Sequence, residues 1–187
     1  MSTSNATVPS LQQFYSTIKD KGLRTVNQFS IEFPSNAGFT SDMAIFAQSA
    51  NLPGRQILAE AAPYFGFPFK IITNLTYTQD WTLTVRCDTE LKIRSAFEAW
   101  ADTFASLRNN TGGKKGQAPG GSDCLVHLLK NDMVSVVKTY KLFGAFCQDL
   151  GAMDFDHAGT AIATFPVTIG FQYWNGADAG KVADPLG

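Results

Sequence analysis

From Gln28 the chain alternates, with Phe29, Ile31 and Phe33 set against Gln28, Ser30 and Glu32 until Pro34 removes a ladder donor. A period of two with one apolar side predicts a half-buried strand. The same period returns at Met43, Ile45 and Ala47 and at Phe67, Phe69 and Ile71. It is cleanest at Trp81, Leu83 and Val85, with Thr82, Thr84 and Arg86 between them. Cys124 to Leu129 and Val134 to Phe146 flank the turn residues Asn131-Asp132 and predict a hairpin with a long second strand. The last run predicts one strand: Ala163, Phe165, Val167, Ile169, Phe171 and Tyr173 face one way, and Thr164, Pro166, Thr168, Gly170 and Gln172 face the other.

Two stretches change the period. Leu11, Phe14, Tyr15 and Ile18 follow Pro9-Ser10 and precede Gly22, which predicts a short amphipathic helix. Ile93, Phe97, Trp100, Phe104 and Leu107 step by threes and fours along one face, after Asp88 or Thr89 as cap and Glu90 in the first turn. This predicts a helix over 89–107 that packs across a sheet. Asn51 to Gly66 fits no period and reads as a long loop with exposed aromatics, ending in Tyr64-Phe65-Gly66. Residues 109–122, rich in Gly, Asn and Lys, read as a flexible surface loop. The division is an N-terminal arm with a short helix (1–27), a mainly β domain with one packed α-helix (28–175) and a C-terminal tail (176–187). No segment repeats at a fixed period, which argues against a solenoid or propeller.

Composition narrows this further. A chain of 187 residues has enough length for one hydrophobic core, and 17% charged residues against 44% hydrophobic leaves a surface that is low in charge. Fifteen Lys and Arg against sixteen Asp and Glu give a net charge of -1, so no global field draws the chain onto nucleic acid or anionic lipid. Thr82, Thr84, Thr164 and Thr168 make polar, uncharged strand faces of the kind another copy often covers. Met1 to Ser10 lacks a charged-then-apolar leader and no apolar run reaches 18 residues, so the expectation is a soluble protein with no membrane anchor, intracellular when made.

Candidate chemistry is sparse. Cys87, Cys124 and Cys147 are odd in number and widely spaced, which suits buried thiols better than disulfides or zinc. Thr111 to Gly116 lacks the spacing of a phosphate loop and follows a helix rather than a strand. Cys124 and His127 sit three apart on a strand and so point to opposite faces. Asp154-Phe155-Asp156-His157 reads as a polar turn before it reads as an acid–base or calcium site. With no GxSxG elbow, no catalytic residue, metal site or cofactor is assigned, and no enzyme is expected.

The order and spacing of several stretches resemble the tail tube protein of contractile-tailed, T4-like bacteriophages. The stretches are Asn27-Gln28-Phe29-Ser30-Ile31-Glu32, Ala50-Asn51-Leu52-Pro53-Gly54, Asp80-Trp81-Thr82-Leu83-Thr84-Val85, the helix with Phe97 and Trp100, Met153-Asp154-Phe155-Asp156, and Thr164 to Trp174. The resemblance implies a β-sandwich or barrel subunit whose strands join a continuous β-barrel in a hexameric ring. Rings would stack into a tube inside a sheath, with baseplate, tape measure and tube terminator proteins as partners. Double-stranded DNA would pass the lumen without specific binding. Asn51, Leu52, Pro53, Gly54, Arg55, Tyr64 and Phe65 are the expected inter-subunit contacts. A baseplate initiator or terminator, or the inner tube of a phage-like injection system, shares these features. From other classes, a monomeric carbohydrate-binding sandwich using Tyr64, Phe65 and Trp174, or a hydrolase using His127 or His157, stays open.

Overall fold

An alternating strand hides one face only when a second layer covers it. In the computed structural model, which describes residues 10–35, 38–77, 80–104 and 122–178, two four-stranded antiparallel sheets cover each other. One sheet runs β1 (Phe29–Glu32), β6 (Cys124–Leu129), β7 (Val136–Phe143), β10 (Tyr173–Asp178). The other runs β2 (Ala47–Ala50), β5 (Trp81–Arg86), β9 (Thr164–Gly170), β8 (Phe146–Leu150). Ile31, Val126 and Leu142 of the first sheet join Trp81, Val85 and Phe165 of the second in one buried cluster. A third pair, β3 (Gln56–Tyr64) with β4 (Phe67–Thr76), forms a separate two-stranded ribbon.

Helix α2 (Lys92–Phe104) lies within the expected span. The Asp88 carboxylate starts it by accepting from the backbone N–H of Lys92 at 3.0 Å and of Ile93 at 3.2 Å. Its buried stripe is Ile93, Phe97 and Trp100. The Phe97 ring meets Phe39 at 4.8 Å, Phe33 at 5.3 Å and Phe165 at 6.1 Å, all edge-on, so the helix seals the core beside both sheets. Helix α1 (Leu11–Lys21) also forms, with a capping box between Ser10 and Gln13, and none of its residues is buried.

Four expectations change. Met43, Ile45 and Ala47 do not share a strand: Ser41–Phe46 is a 3-10 helix, and only then does β2 begin. The real spacing is three, since Met43 and Phe46 pack against the core while Ile45 points out. The stretch Asn51 to Gly66 is a loop only as far as Arg55, after which β3 runs to Tyr64. The long strand from Val134 to Phe146 is two strands in different sheets, separated by a turn at Gly144 (φ 59) and fully buried Ala145. Likewise the run from Ala163 to Tyr173 leaves its sheet after Gly170, and β10 starts in the other sheet and extends through Gly176 to Asp178. The two crossings lie side by side, with the Gln172 N–H donating to the Phe143 carbonyl at 3.0 Å. The expected loop at 109–121, the helix residues 105–107, and residues 1–9 and 179–187 lie outside the described residues.

Phe97→Ala should lower unfolding free energy by about 3–5 kcal/mol, because the cavity would open among rings that cannot collapse onto it. Asp88→Ala should cost clearly less, the loss of one solvent-exposed helix cap. Urea unfolding followed by tryptophan fluorescence checks both, and equal effects would refute this ranking.

Candidate functional site

The most extended apolar feature of the described surface is the β3–β4 ribbon, which the core does not absorb. In the β3–β4 ribbon, Tyr64 pairs with Phe67, Ala62 with Phe69 and Glu60 with Ile71, which puts those side chains on one face. Ile57 pairs with Leu75, Ala59 with Ile72 and Ala61 with Lys70 on the other, across a register shift between Leu58 and Ala59. Both faces are therefore apolar, and both are open: Phe67 is 71% exposed and Ile72 is 72% exposed. A lone two-stranded ribbon is marginal in water, and a monomer rarely leaves an apolar patch of this extent uncovered.

The ribbon's turn is unusual. Phe65 (φ 48) and Gly66 (φ 82) both adopt left-handed backbone, which is the arrangement of a tight type I′ hairpin turn. Asn or Gly suits the first of these positions, whereas a Phe there is strained by about 1–3 kcal/mol. The side chain held in that conformation is 87% exposed and stacks edge-on against Tyr64 at 4.6 Å.

The ribbon's feet are fixed. The Arg55 guanidinium lies 5.6 Å from the Trp174 ring centroid, and Tyr77 lies 6.0 Å from Trp174 and 6.1 Å from Phe171. Tyr77 also donates its hydroxyl to the Trp174 carbonyl at 3.4 Å, and Tyr140 closes the cluster at 5.5 Å. Of the residues expected from sequence, Tyr64 and Phe65 form the tip and Leu52 is exposed near the feet. Asn51 is tied to β5 through its carboxamide oxygen and the Thr82 N–H at 2.9 Å, Pro53 is buried, Gly54 is exposed, and Arg55 serves the clamp. Phe67, Phe69, Ile57 and Ile72 complete the patch and were not among the residues expected to make contacts. A signal for them exists, since residues 56–76 hold one acid, Glu60, and one base, Lys70.

The other candidates are placed apart. Cys124 is fully buried in the core, while His127 on the opposite face sits between the Thr139 hydroxyl at 2.9 Å and the Glu32 carboxylate at 3.3 Å. Asp156 caps a turn by accepting from the Ala158 N–H at 3.0 Å. Trp174 lies within the clamp rather than on an open binding face. Among the described residues no three His, Cys, Asp or Glu side chains come together as a metal site. Among them, too, no helix is long and apolar enough to cross a membrane. The Thr111 to Gly116 stretch lies outside the described residues.

A closed sandwich with a projecting, uncovered ribbon is the architecture of a structural protein rather than of a scaffold around a built chemical site. The sequence pattern of the phage tail tube protein family matches residues 7–177, and the chain belongs to that family as a structural tube protein. Over 97 residues, 51% of the chain, it is 30% identical to the tail tube protein gp19 of Enterobacteria phage T4, and the match spans 58% of that relative's length. The fold is similar to a chain of the sheath–tube complex of the PVC extracellular contractile injection system in its extended state. That likeness has TM-score 0.59 and 16% identity, and it covers 88% of this chain and 97% of that one. It is equally similar to a chain of the anti-feeding prophage tube-terminating cap, at TM-score 0.59 and 16% identity over 84% and 92%.

Burial, with the Asp149 charge adding to it, pushes the Cys147 thiol up to about 11, and burial pushes Cys124 further still. Both should therefore resist an aromatic disulfide reagent at neutral pH until the chain is unfolded, with half-buried Cys87 reacting first. Fast labelling of Cys124 in the native protein would contradict the sandwich core.

Proposed function

We propose that this chain is the subunit of the inner tail tube of a contractile phage tail, with six copies closing a ring and rings stacking into a conduit for the genome. The observation that carries this reading is the ribbon, whose two apolar faces need cover that its own chain does not provide. The sandwich supplies a second reason. β2 and β8 end their sheet with unpaired edges, and pairing β8 of one copy with β2 of the next would continue the ladder around a ring and remove those edges. The outward face of that sheet would then line the bore. It carries Thr82 opposite Thr168 and Thr84 opposite Pro166, with Arg86 and Asp149 as opposing charges. Such a neutral polar wall lets DNA pass without the many phosphate contacts that would hold it.

In this reading α1 and its uncovered face, with Leu11, Phe14 and Tyr15 exposed, belong to an arm over residues 1–27 that reaches a neighbouring copy. The candidate contacts from Asn51 to Arg55 and at Tyr64 and Phe65 serve assembly. The partners are a sheath outside the tube, a baseplate and a terminator at its ends, and a tape measure protein within. The chain has no catalytic part in this scheme, and its place is the virion tail after assembly in the host cytoplasm. The equal likeness to a terminating cap favours a second reading, a tube terminator or the inner tube of an injection system. Tube length separates the two.

Light scattering with negative-stain microscopy over a range of concentration and salt should show rings and long stacked tubes. Replacing Tyr64→Ser together with Phe65→Ser should abolish them and leave the thermal midpoint of the sandwich within a few degrees. Unchanged polymerisation of that variant would remove the ribbon tip from the assembly contacts.

A further inference from the structure

We propose that the turn Asp154-Phe155-Asp156 of one copy seats in the groove beside β2 of the next, with its ring against Ile45 and its carboxylates on Arg86. This rests on the ring reading above and deepens it by naming the segment and the seat that hold neighbouring copies in register. The turn and the groove flank opposite edges of one sheet, whose order is β2-β5-β9-β8. One copy therefore cannot bring them together, whereas ring closure does. Every neighbouring pair in that sheet is antiparallel, so β8 runs with β5 and against β2, and β8 set beside the next copy's β2 continues the antiparallel ladder.

Register then carries the turn to its seat. Leu150 lies level with Ala50 across the sheet, through Val167 and Leu83. Beyond Leu150 the chain runs in the direction in which β2 leads back from Ala50, so Gly151 and Ala152 pass the neighbour's Ser49 and Ala47, and Phe155 reaches the level of Ile45. A groove of about 620 Å³ opens along this edge, lined by Ile45, Ala47, Ser49 and Arg86 and, across from them, by Val26 and Phe29. Ile45 and Val26 are left exposed there, and the exposed Arg86 makes no ion pair among the described residues. The turn is the complement of this groove. Phe155 is 77% exposed between two exposed carboxylates, which likewise make no ion pair among the described residues. Its root is fixed: the Gly151 N–H donates to the Pro166 carbonyl at 2.9 Å, Arg94 donates to the Gly151 carbonyl at 3.2 Å, and Met153 packs against the core. A ring on a fixed root fills an apolar groove at little cost in chain entropy, and two carboxylates beside one guanidinium select the partner and its orientation. The contact is head-to-tail, because each copy offers a turn at one edge and a groove at the other.

Photo-crosslinking of the full chain tests this. With p-benzoylphenylalanine in place of Phe155, which keeps an aromatic ring there, irradiation of assembled tubes should join that position to Ile45, Ala47 or Arg86 of a second copy, read by mass spectrometry. Irradiation of the dilute subunit should not. Crosslinks from genuine tubes that fall only elsewhere overturn the seat and leave the tube reading standing. A wild-type chain that stays monomeric at every concentration, with no crosslink in the variant, overturns the seat and the tube reading together.

Charge reversal gives a second measure that a misfolded variant cannot imitate. Arg86→Glu, and separately Asp154→Lys with Asp156→Lys, should each raise the critical concentration for assembly about tenfold or more, and the combined variant should return to within about threefold of wild type. Losses that add with no rescue overturn the seat. Phe155→Ser should weaken assembly by a similar factor and leave the thermal midpoint of the subunit unchanged, because the ring is exposed in its own copy. Unchanged assembly in Phe155→Ser overturns the ring's part in the contact.

Discussion

Everything in this structure depends on two sheets covering one another. Each sheet has a single apolar face, and the alternation of Trp81, Leu83 and Val85 with Thr82, Thr84 and Arg86 assigns the other face outward. Because the core consumes the inner faces completely, with α2 sealing one side, what is left outside is either polar strand surface or structure that the sandwich cannot cover. The threonine face and the edges of β2 and β8 are the first kind; the ribbon is the second. A fold closed in this way carries much of its capacity to interact on its surfaces.

Much of this was legible from period alone. β1, β5, β6 and β9 follow the alternation of their residues, and α2 follows the stripe of Ile93, Phe97 and Trp100. The crossings between sheets were not legible. Tyr140 and Leu142 face the core from β7 whereas Ala145 and Cys147 do so around and after the corner, so the alternation changes phase there, and the change is masked because Leu142 and Phe143 are both buried. A one-residue change of phase marks the corner, and two adjacent apolar residues hide it from a reading of period alone. The run ending at Tyr173 behaves alike: Phe165, Val167 and Ile169 face the core from β9, and Trp174 rather than Tyr173 packs against it from β10.

The candidate site was half legible for a related cause. Tyr64 and Phe65 stood out as aromatics beside a turn, but β3 was hidden, since a strand with no buried face shows no contrast between faces. Phe67, Phe69 and Ile71 alternate and predict a strand, yet alternation in sequence implies a core, and here the apolar side meets no core. Within the tail tube family, this exposure is what the proposed assembly contacts draw on.

The clamp of Arg55, Tyr77 and Trp174 has a further consequence, in the thermodynamics of association. A flexible arm must be ordered at the moment of binding, and each side chain and backbone unit so fixed subtracts from affinity. Here the aromatic cluster sets the ribbon's root against β10 within the one chain, so the root itself is already ordered. Any association through the ribbon would then surrender less conformational entropy at its root than a free arm would.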